Sequence, residues 1–362
     1  MASIVERGKS YSVVYMTTIQ GHRKQKWETY HTKWSLSTYQ SNCGLIRNYI
    51  LPLLGNIRLE ELSPLIVAEL YRDFLQQPRY DGPYHKSCGR TVSLSVLRDI
   101  HKLLHSAFEQ AVLWEYISRN PFHRAVLPRM ETKPRQFLRP DQISVLLEQC
   151  DNPRLALAIH LAFAGSLRRG EILALTWQDV DWKRSAIRIN KTLCRVSQEA
   201  LRTLGEQNIL FEFPPVLKSD KTVLVLKSPK TVSSNRIIYL PEVVMRLLKE
   251  HLNRQQEEGT ADPIMVFQDK DGHPLQDTTL IKYFQSALQC ASLPKVCFHS
   301  LRHSSITYKL VLSRGDIKSV QGDSGHAQAE MVTEIYSHVL DENRRKNMLL
   351  FEQEFYQNYG TV

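Results

Sequence analysis

The sequence predicts a multidomain chain: a small β-rich N-terminal module, an all-α domain behind it, and a larger mixed α+β domain running to the C-terminus. Three observations carry that prediction. Residues Ser10 to Met16 and Lys24 to Tyr30 are dense in β-formers on either side of a turn at 19–22, and residues 94–114 repeat apolar side chains at helical spacing. Four prolines then fall between Asn120 and Pro140, a density few regular elements survive. The boundaries follow: module 1–33, helical domain 34–127, linker 128–137, and mixed domain 138–362. A length of 362 residues fits two or three folding units.

Taken in order, residues 1–33 carry Arg7, Lys9, Arg23, Lys24, Lys26 and Lys33 against Glu6 and Glu28, interleaved with Tyr11, Tyr15 and Trp27. A strand pair bearing cations and aromatics can enter a DNA groove; a solubilising sheet edge would look the same. In the helical domain Leu94, Leu97, Leu104, Phe108 and Ala111 form a stripe, with Ile100, Leu103, Ala107 and Trp114 widening it. That helix needs a partner. Its opposite face offers Arg98, Lys102 and His105, either a phosphate-meeting surface or an ordinary solvated one. Beyond the linker, helical periodicity runs from Pro140 to about Trp177. Extended stretches at Ala186 to Val196 and Ile237 to Leu240 bracket a hairpin region, and helices follow from Pro241 to the end.

Composition narrows the function class. Apolar residues are 42% and charged residues 23%, which excludes collagenous and wholly disordered chains. Lys and Arg outnumber Asp and Glu by 47 to 37, a formal +10, favouring a polyanionic partner. Cys43, Cys88, Cys150, Cys194, Cys290 and Cys297 form no CxxC pair and no secreted framework, so free thiols in the cytoplasm are expected. No apolar run approaches the ~18 residues of a membrane span, and the first residues lack a cationic region followed by an apolar one, so no leader is expected.

Several polar constellations carry chemistry. Arg168-Arg-Gly-Glu171 sets guanidiniums and a carboxylate among apolar residues, although an Arg and a Glu at i, i+3 can be a plain helical pair. Lys230 stands in a polar turn between extended runs. His299-Ser-Leu-Arg302 puts an imidazole and a guanidinium on one side of a turn, where both can donate to one oxyanion. Gly325-His326 and Ile335-Tyr336-Ser-His338 complete the series. His299, His303, His326 and His338 could be imagined around zinc, but no HExxH, cysteine cluster or acidic set completes such a site, and Arg302 beside them would repel a cation. No metal and no cofactor is expected.

Taken jointly, Arg168, Lys230, His299, Arg302, His326 and Tyr336, in that order, resemble the tyrosine recombinase (phage integrase) family, and most closely the integrases of conjugative transposons. The resemblance covers nearly the whole chain. It implies a basic arm-DNA-binding module at 1–33, a helical core-DNA-binding domain at 34–127, and a tyrosine-recombinase catalytic domain at 138–362. Two departures stand out: Ser324 precedes Gly325-His326 where the family is commonly apolar, and the N-terminal strands run almost directly into the Trp34 to Tyr39 helix without a spacer.

By this resemblance Tyr336 attacks a phosphodiester and forms a 3′-phosphotyrosyl link. Arg168 and Arg302 clamp the nonbridging oxygens, a task suited to their fork-shaped donors. His299 and His326 add donors, with His299 able to accept the phenol proton. Lys230 is the acid for the departing 5′ hydroxyl, and Glu171 supports Arg168 or a histidine. The tyrosyl phosphodiester keeps the energy of the broken bond, so ATP is not required. The implied partners are double-stranded DNA, further copies of the chain in a synaptic tetramer, an excision factor and a host DNA-bending protein, with no membrane. The implied activity is integration and excision of a mobile element; a DNA-binding protein that does not cut, and a topoisomerase-like relaxing enzyme, are the alternatives. The tail from Leu340, with Met348, Leu349, Leu350, Phe351, Phe355 and Tyr356, can dock on a neighbouring protomer or pack as a core helix of its own chain.

Overall fold

The computed structural model describes residues 2–7, 10–19, 22–29, 34–80, 89–129, 136–205, 208–215, 221–229, 234–259, 263–269, 271–325 and 348–353, with the backbone alone described before residue 34. Three strands, β1 (Ala2–Arg7), β2 (Ser10–Ile19) and β3 (His22–Thr29), form an antiparallel sheet in that order. Tyr15 pairs with Lys26 and Ile19 with His22, so the turn falls where the sequence places it. β1 is an addition: its short polar-ended run gives little alternation to read.

The chain divides into two compact units, 1–133 with 196–207 and 215–223, and 134–195 with 208–214 and 224–362. In the first, serines open each long helix by accepting a backbone N–H: Ser35 for α1 (Leu36–Leu45), Ser63 for α3 (Pro64–Gln76) and Ser93 for α4 (Leu94–Leu113). Between α1 and α3 lie a π-helical turn at Ile46–Ile50 and the short α2 (Leu51–Leu54). The stripe on α4 is buried as its spacing predicts, with Leu97 and Ile100 fully covered, and it joins one core with Val67, Leu70 and Phe74 of α3. Phe122, from the turn after α4, closes that core against Phe108 with ring centroids 4.9 Å apart. α8 (Gln198–Leu204) also belongs here and packs on α1.

The second unit is built around α6 (Pro153–Ala164), whose sequence is apolar almost all round; Leu155, Leu157, Ala158, Ile159, Leu161 and Ala162 are all buried. Such a helix belongs inside. It contacts α7 (Arg169–Leu173), α9 (Glu242–Glu257), α10 (Asp277–Cys290) and α11 (Ser300–Leu312). The helical periodicity from Pro140 to about Trp177 is divided among three helices. α5 (Pro140–Glu148) ends before Asn152, whose side chain caps α6 with Pro153 at its first position. α6 ends at Gly165, and Ser166 at φ +52° turns the chain before α7.

The expected hairpin region is two three-stranded sheets. One has the order β4 (Val180–Asp181), β5 (Ala186–Ile189), β9 (Arg236–Tyr239); the other is β6 (Thr192–Ser197), β8 (Thr222–Lys227), β7 (Ile209–Glu212). α12 (Ile317–Ser324) follows α11, and Ile306, Leu310 and Val320 pack between them. Cys43 is buried, whereas Cys290 and Cys297 are exposed; both are free. No described helix is long and apolar enough to cross a membrane.

Candidate functional site

The C-terminus of α6, the start of α7, the start of β9, the first turn of α11 and the end of α12 bring Arg168, Glu171, Arg236 and Arg302 together. Arg168 caps α7 with extended backbone (φ −76°, ψ 148°). Its backbone N–H donates to Glu171 Oε2 and its Nη1 to Glu171 Oε1, both at 2.9 Å. Gly170 between them is required by close approach, because a Cβ there would lie 2.5 Å from Thr192 Oγ1 and 3.0 Å from the Leu193 carbonyl. The pair at i, i+3 is therefore not a solvated helical ion pair. Glu171 is 6% exposed and Arg168 is partly open to solvent.

A second cation completes the carboxylate's shell. Arg236 donates from Nη1 to Glu171 Oε1 at 3.1 Å and from Nη2 to Oε2 at 2.9 Å. Burial by itself would push the Glu171 carboxyl up, but the hydrogen bond and charge of Arg236, followed by those of Arg168, hold it below the usual carboxylate range. The sequence argument left Arg236 without a role. A signal was present: β9 alternates, Ile238 points inward and Ile237 outward, so Arg236 falls in phase with the core. A cation on an inward strand position needs a buried anion.

Arg302 is 1% exposed, in the first turn of α11. Its Nη1 donates to the Ser166 carbonyl and its Nη2 to the Ser324 carbonyl. The left-handed turn at Ser166 presents the first of these, and the Ser166 hydroxyl bonds Ser305 of α11 at 2.6 Å. Burial, then repulsion from Arg168 and Arg236 set against attraction to Glu171, pulls Arg302 from the ordinary guanidinium value down to about 9. Three guanidiniums facing one carboxylate leave this cluster short of negative charge, the condition under which a phosphate binds well.

His299 stands at the residue before α11, and its ring lies 4.8 Å from that of His303 at 88°. Together with Arg168, Arg169, Cys297 and Phe298 it lines an open cleft of about 400 Å³. Ser324 is fully buried; its hydroxyl donates back to the Gln321 carbonyl at 3.3 Å. This internal bond lets a serine stand where an apolar residue is expected. Gly325 ends α12 at φ +62°, and its carbonyl accepts from Arg168 Nη2 at 3.2 Å.

Of the six residues singled out for chemistry, Arg168, His299 and Arg302 fall within this region, as does the supporting Glu171. Lys230, His326 and Tyr336 lie outside the described residues, as does Lys9; Lys230 falls between β8 and β9, and His326 directly follows Gly325. Of Arg7, Arg23, Lys24 and Lys26 only the backbone pairing is described. Arg98 is half-buried on α4, and Lys102 is 76% exposed at 3.8 Å from Asp99.

Residues 136–212 and 214–343 match the phage integrase family, and residues 25–75 match the phage integrase N-terminal SAM-like domain. A "tyrosine recombinase XerC-like" protein of Caldanaerobacter subterraneus subsp. tengcongensis is 27% identical over 324 residues, 85% of this chain and 75% of that protein. The ICEBs1 integrase of Bacillus subtilis is 24% identical over 263 residues, 70% of this chain and 63% of its own length. Among solved structures, the Tn1549 transposon integrase in complex with a circular intermediate DNA superposes with a TM-score of 0.67 at 19% identity, covering 88% of this chain and 95% of that one.

Proposed function

The chain belongs to the phage integrase family, the tyrosine recombinases that cleave and rejoin DNA, and from that membership we propose how its own residues divide the work. Tyr336 Oη attacks the scissile phosphorus in line with the 5′ oxygen. A Tyr–O–P bond forms as the P–O5′ bond breaks. The phenol proton passes to His299, and the departing 5′ oxygen takes a proton from Lys230. A 5′ hydroxyl of another strand then reverses the attack, joining the element to its target or releasing it.

The observation that carries this reading is the cation-rich cluster. Arg168 and Arg302 are held on adjacent carbonyls, those of Gly325 and Ser324, with Glu171 behind Arg168. Donors so fixed need no reorganisation when charge develops on the nonbridging oxygens of a phosphoryl group. His326, the residue after Gly325 in the chain, is assigned as a further donor. DNA as substrate accords with the net positive charge and with the expected cytoplasmic location.

For partners, the Tn1549 integrase bound to DNA and the lambda integrase tetramer bound to a Holliday junction support duplex DNA and self-association here. An excision factor and a host bending protein fit the same scheme. In the DNA-binding parts, the β1–β3 module is assigned to arm sites through Arg7, Lys9, Arg23, Lys24 and Lys26, and the helical unit to the core site through Arg98 and Lys102. The exposed Met348, Leu349, Leu350 and Phe351 suit docking of the tail on a neighbouring protomer.

Trapping on a nicked suicide substrate tests the reading. The expected result is a covalent protein–DNA adduct whose attachment maps to Tyr336 and which Tyr336→Phe abolishes. A chain that binds duplex DNA but yields no adduct, or an undiminished adduct from the phenylalanine variant, would overturn it.

A further inference from the structure

Arg236 stands at the head of β9, six residues beyond Lys230, and every part of its guanidinium is engaged. Nη1 and Nη2 meet both oxygens of Glu171, Nη1 also meets the Ser234 carbonyl at 3.2 Å, and Nε donates to the Asp323 carbonyl at 2.8 Å. We propose that Arg236 is a positioning residue for strand cleavage, tying the Glu171–Arg168 pair to the backbone at the end of α12 that leads into His326. This role rests on the recombinase reading above.

Three consecutive carbonyls at the end of α12 are taken by three different arginines: Asp323 by Arg236, Ser324 by Arg302 and Gly325 by Arg168. Arg168 and Arg302 are the pair assigned to phosphate. Arg236 differs because its two terminal nitrogens span both Glu171 oxygens while its Nε holds a carbonyl of the α12 terminus. It therefore acts as a fixed strut between Glu171 and the α12 terminus. Packing sets the same spacing, since a Cβ on Gly325 would fall 3.0 Å from Arg236 Nη1 and 3.1 Å from its Cζ. Glycine at that position, in the left-handed conformation, lets the backbone settle directly on the guanidinium.

Lysine cannot replace this strut. A single ammonium cannot bridge both Glu171 oxygens while reaching a carbonyl on the opposite side. Without Arg236, Arg168 alone answers the Glu171 charge, and the carbonyls of 323–325 lose the member that sets their height. Displacements of about 1 Å at catalytic groups cost on the order of 100-fold in rate.

The test is single-turnover cleavage of a nicked suicide substrate by the full chain at saturating concentration, for the unsubstituted protein, Arg236→Lys and Arg236→Gln, with duplex affinity measured alongside. The expected result for both variants is full adduct amplitude at a rate lowered by roughly 30- to 100-fold, with affinity within about threefold. An unchanged rate would overturn the role. So would a reduced amplitude at the original rate, because that pattern reports a smaller folded fraction and nothing more. If neither variant folds, Gly325→Ala decides: it keeps Arg236 and its ion pair but lifts the backbone from the strut, and an unaltered rate there overturns the proposal. Absence of adduct from the unsubstituted chain would overturn the recombinase reading and this role with it.

Discussion

Arg302 and Lys102 carry the same charge and are both assigned to DNA phosphates, yet the two units hold them in opposite ways. Lys102 sits 76% exposed beside Asp99, where water already solvates it and salt screens it. Arg302 is buried, its two terminal nitrogens fixed on the carbonyls of Ser166 and Ser324. A mobile solvated cation adds affinity by releasing counterions from DNA and can be exchanged for another cation. A buried fork contributes where geometry matters, and only an arginine fills it. The contrast separates binding from chemistry before any DNA is placed.

Substitutions can break or sharpen that contrast. The largest effect is expected from Glu171→Ala, which leaves Arg236 buried with no counter-charge: a loss of about 3–5 kcal/mol in urea unfolding of the second unit. A loss below about 1 kcal/mol would mean that the buried pair is not structural. Next comes Arg302→Lys, expected to retain duplex affinity while cleavage falls by roughly 100- to 1000-fold, the scale for removing a fixed donor to a developing oxyanion. Equal losses of binding and cleavage would erase the distinction drawn above.

Acid provides a smaller, graded version of the first experiment. The folded-state pKa of Glu171 is depressed by Arg236 and Arg168, so its contribution to stability is complete above the unfolded carboxylate value of about 4.3 and disappears as pH falls through the folded value. The stability gap between the unsubstituted protein and Glu171→Gln should therefore narrow on acidification, as followed by unfolding midpoints from pH 7 downward. A gap that widens in acid would reverse the sign of the argument. Smallest of all, Arg98→Ala and Lys102→Ala should each weaken duplex binding a few-fold and lower the salt slope by roughly one, with the single-turnover cleavage rate unchanged at saturation.

Legibility in the sequence followed the same division. The α4 stripe was readable because Leu97, Ile100 and Phe108 pack along one helical face, and period alone identifies such a face. His299 with Arg302, and Arg168 with Glu171, were readable because each pair is local and reactive side chains at short spacing meet on one turn. The break at Asn152 carried a local signal, a capping Asn followed by Pro153 in a polar stretch, which the apolar periodicity on either side masked. The break at Ser166 carried less, because a single residue in the left-handed region turns the chain there. Arg236 was not legible, because its partner lies 65 positions away and a cation in a β-stretch ordinarily faces water. Likewise, the separation of β5 and β9 from β6, β7 and β8 depends on pairings between distant segments.

α8 has a practical bearing on how the molecule can be dissected. Its sequence lies within the span of the second unit, but Tyr39 of α1 hydrogen-bonds Thr203 and loses so much water that its phenol is pushed up to about 12. Scissors applied at the proline-rich stretch would not yield two self-sufficient pieces. A fragment beginning at Pro134 would carry α8 without the α1 it packs on, while its counterpart would keep an empty berth along α1.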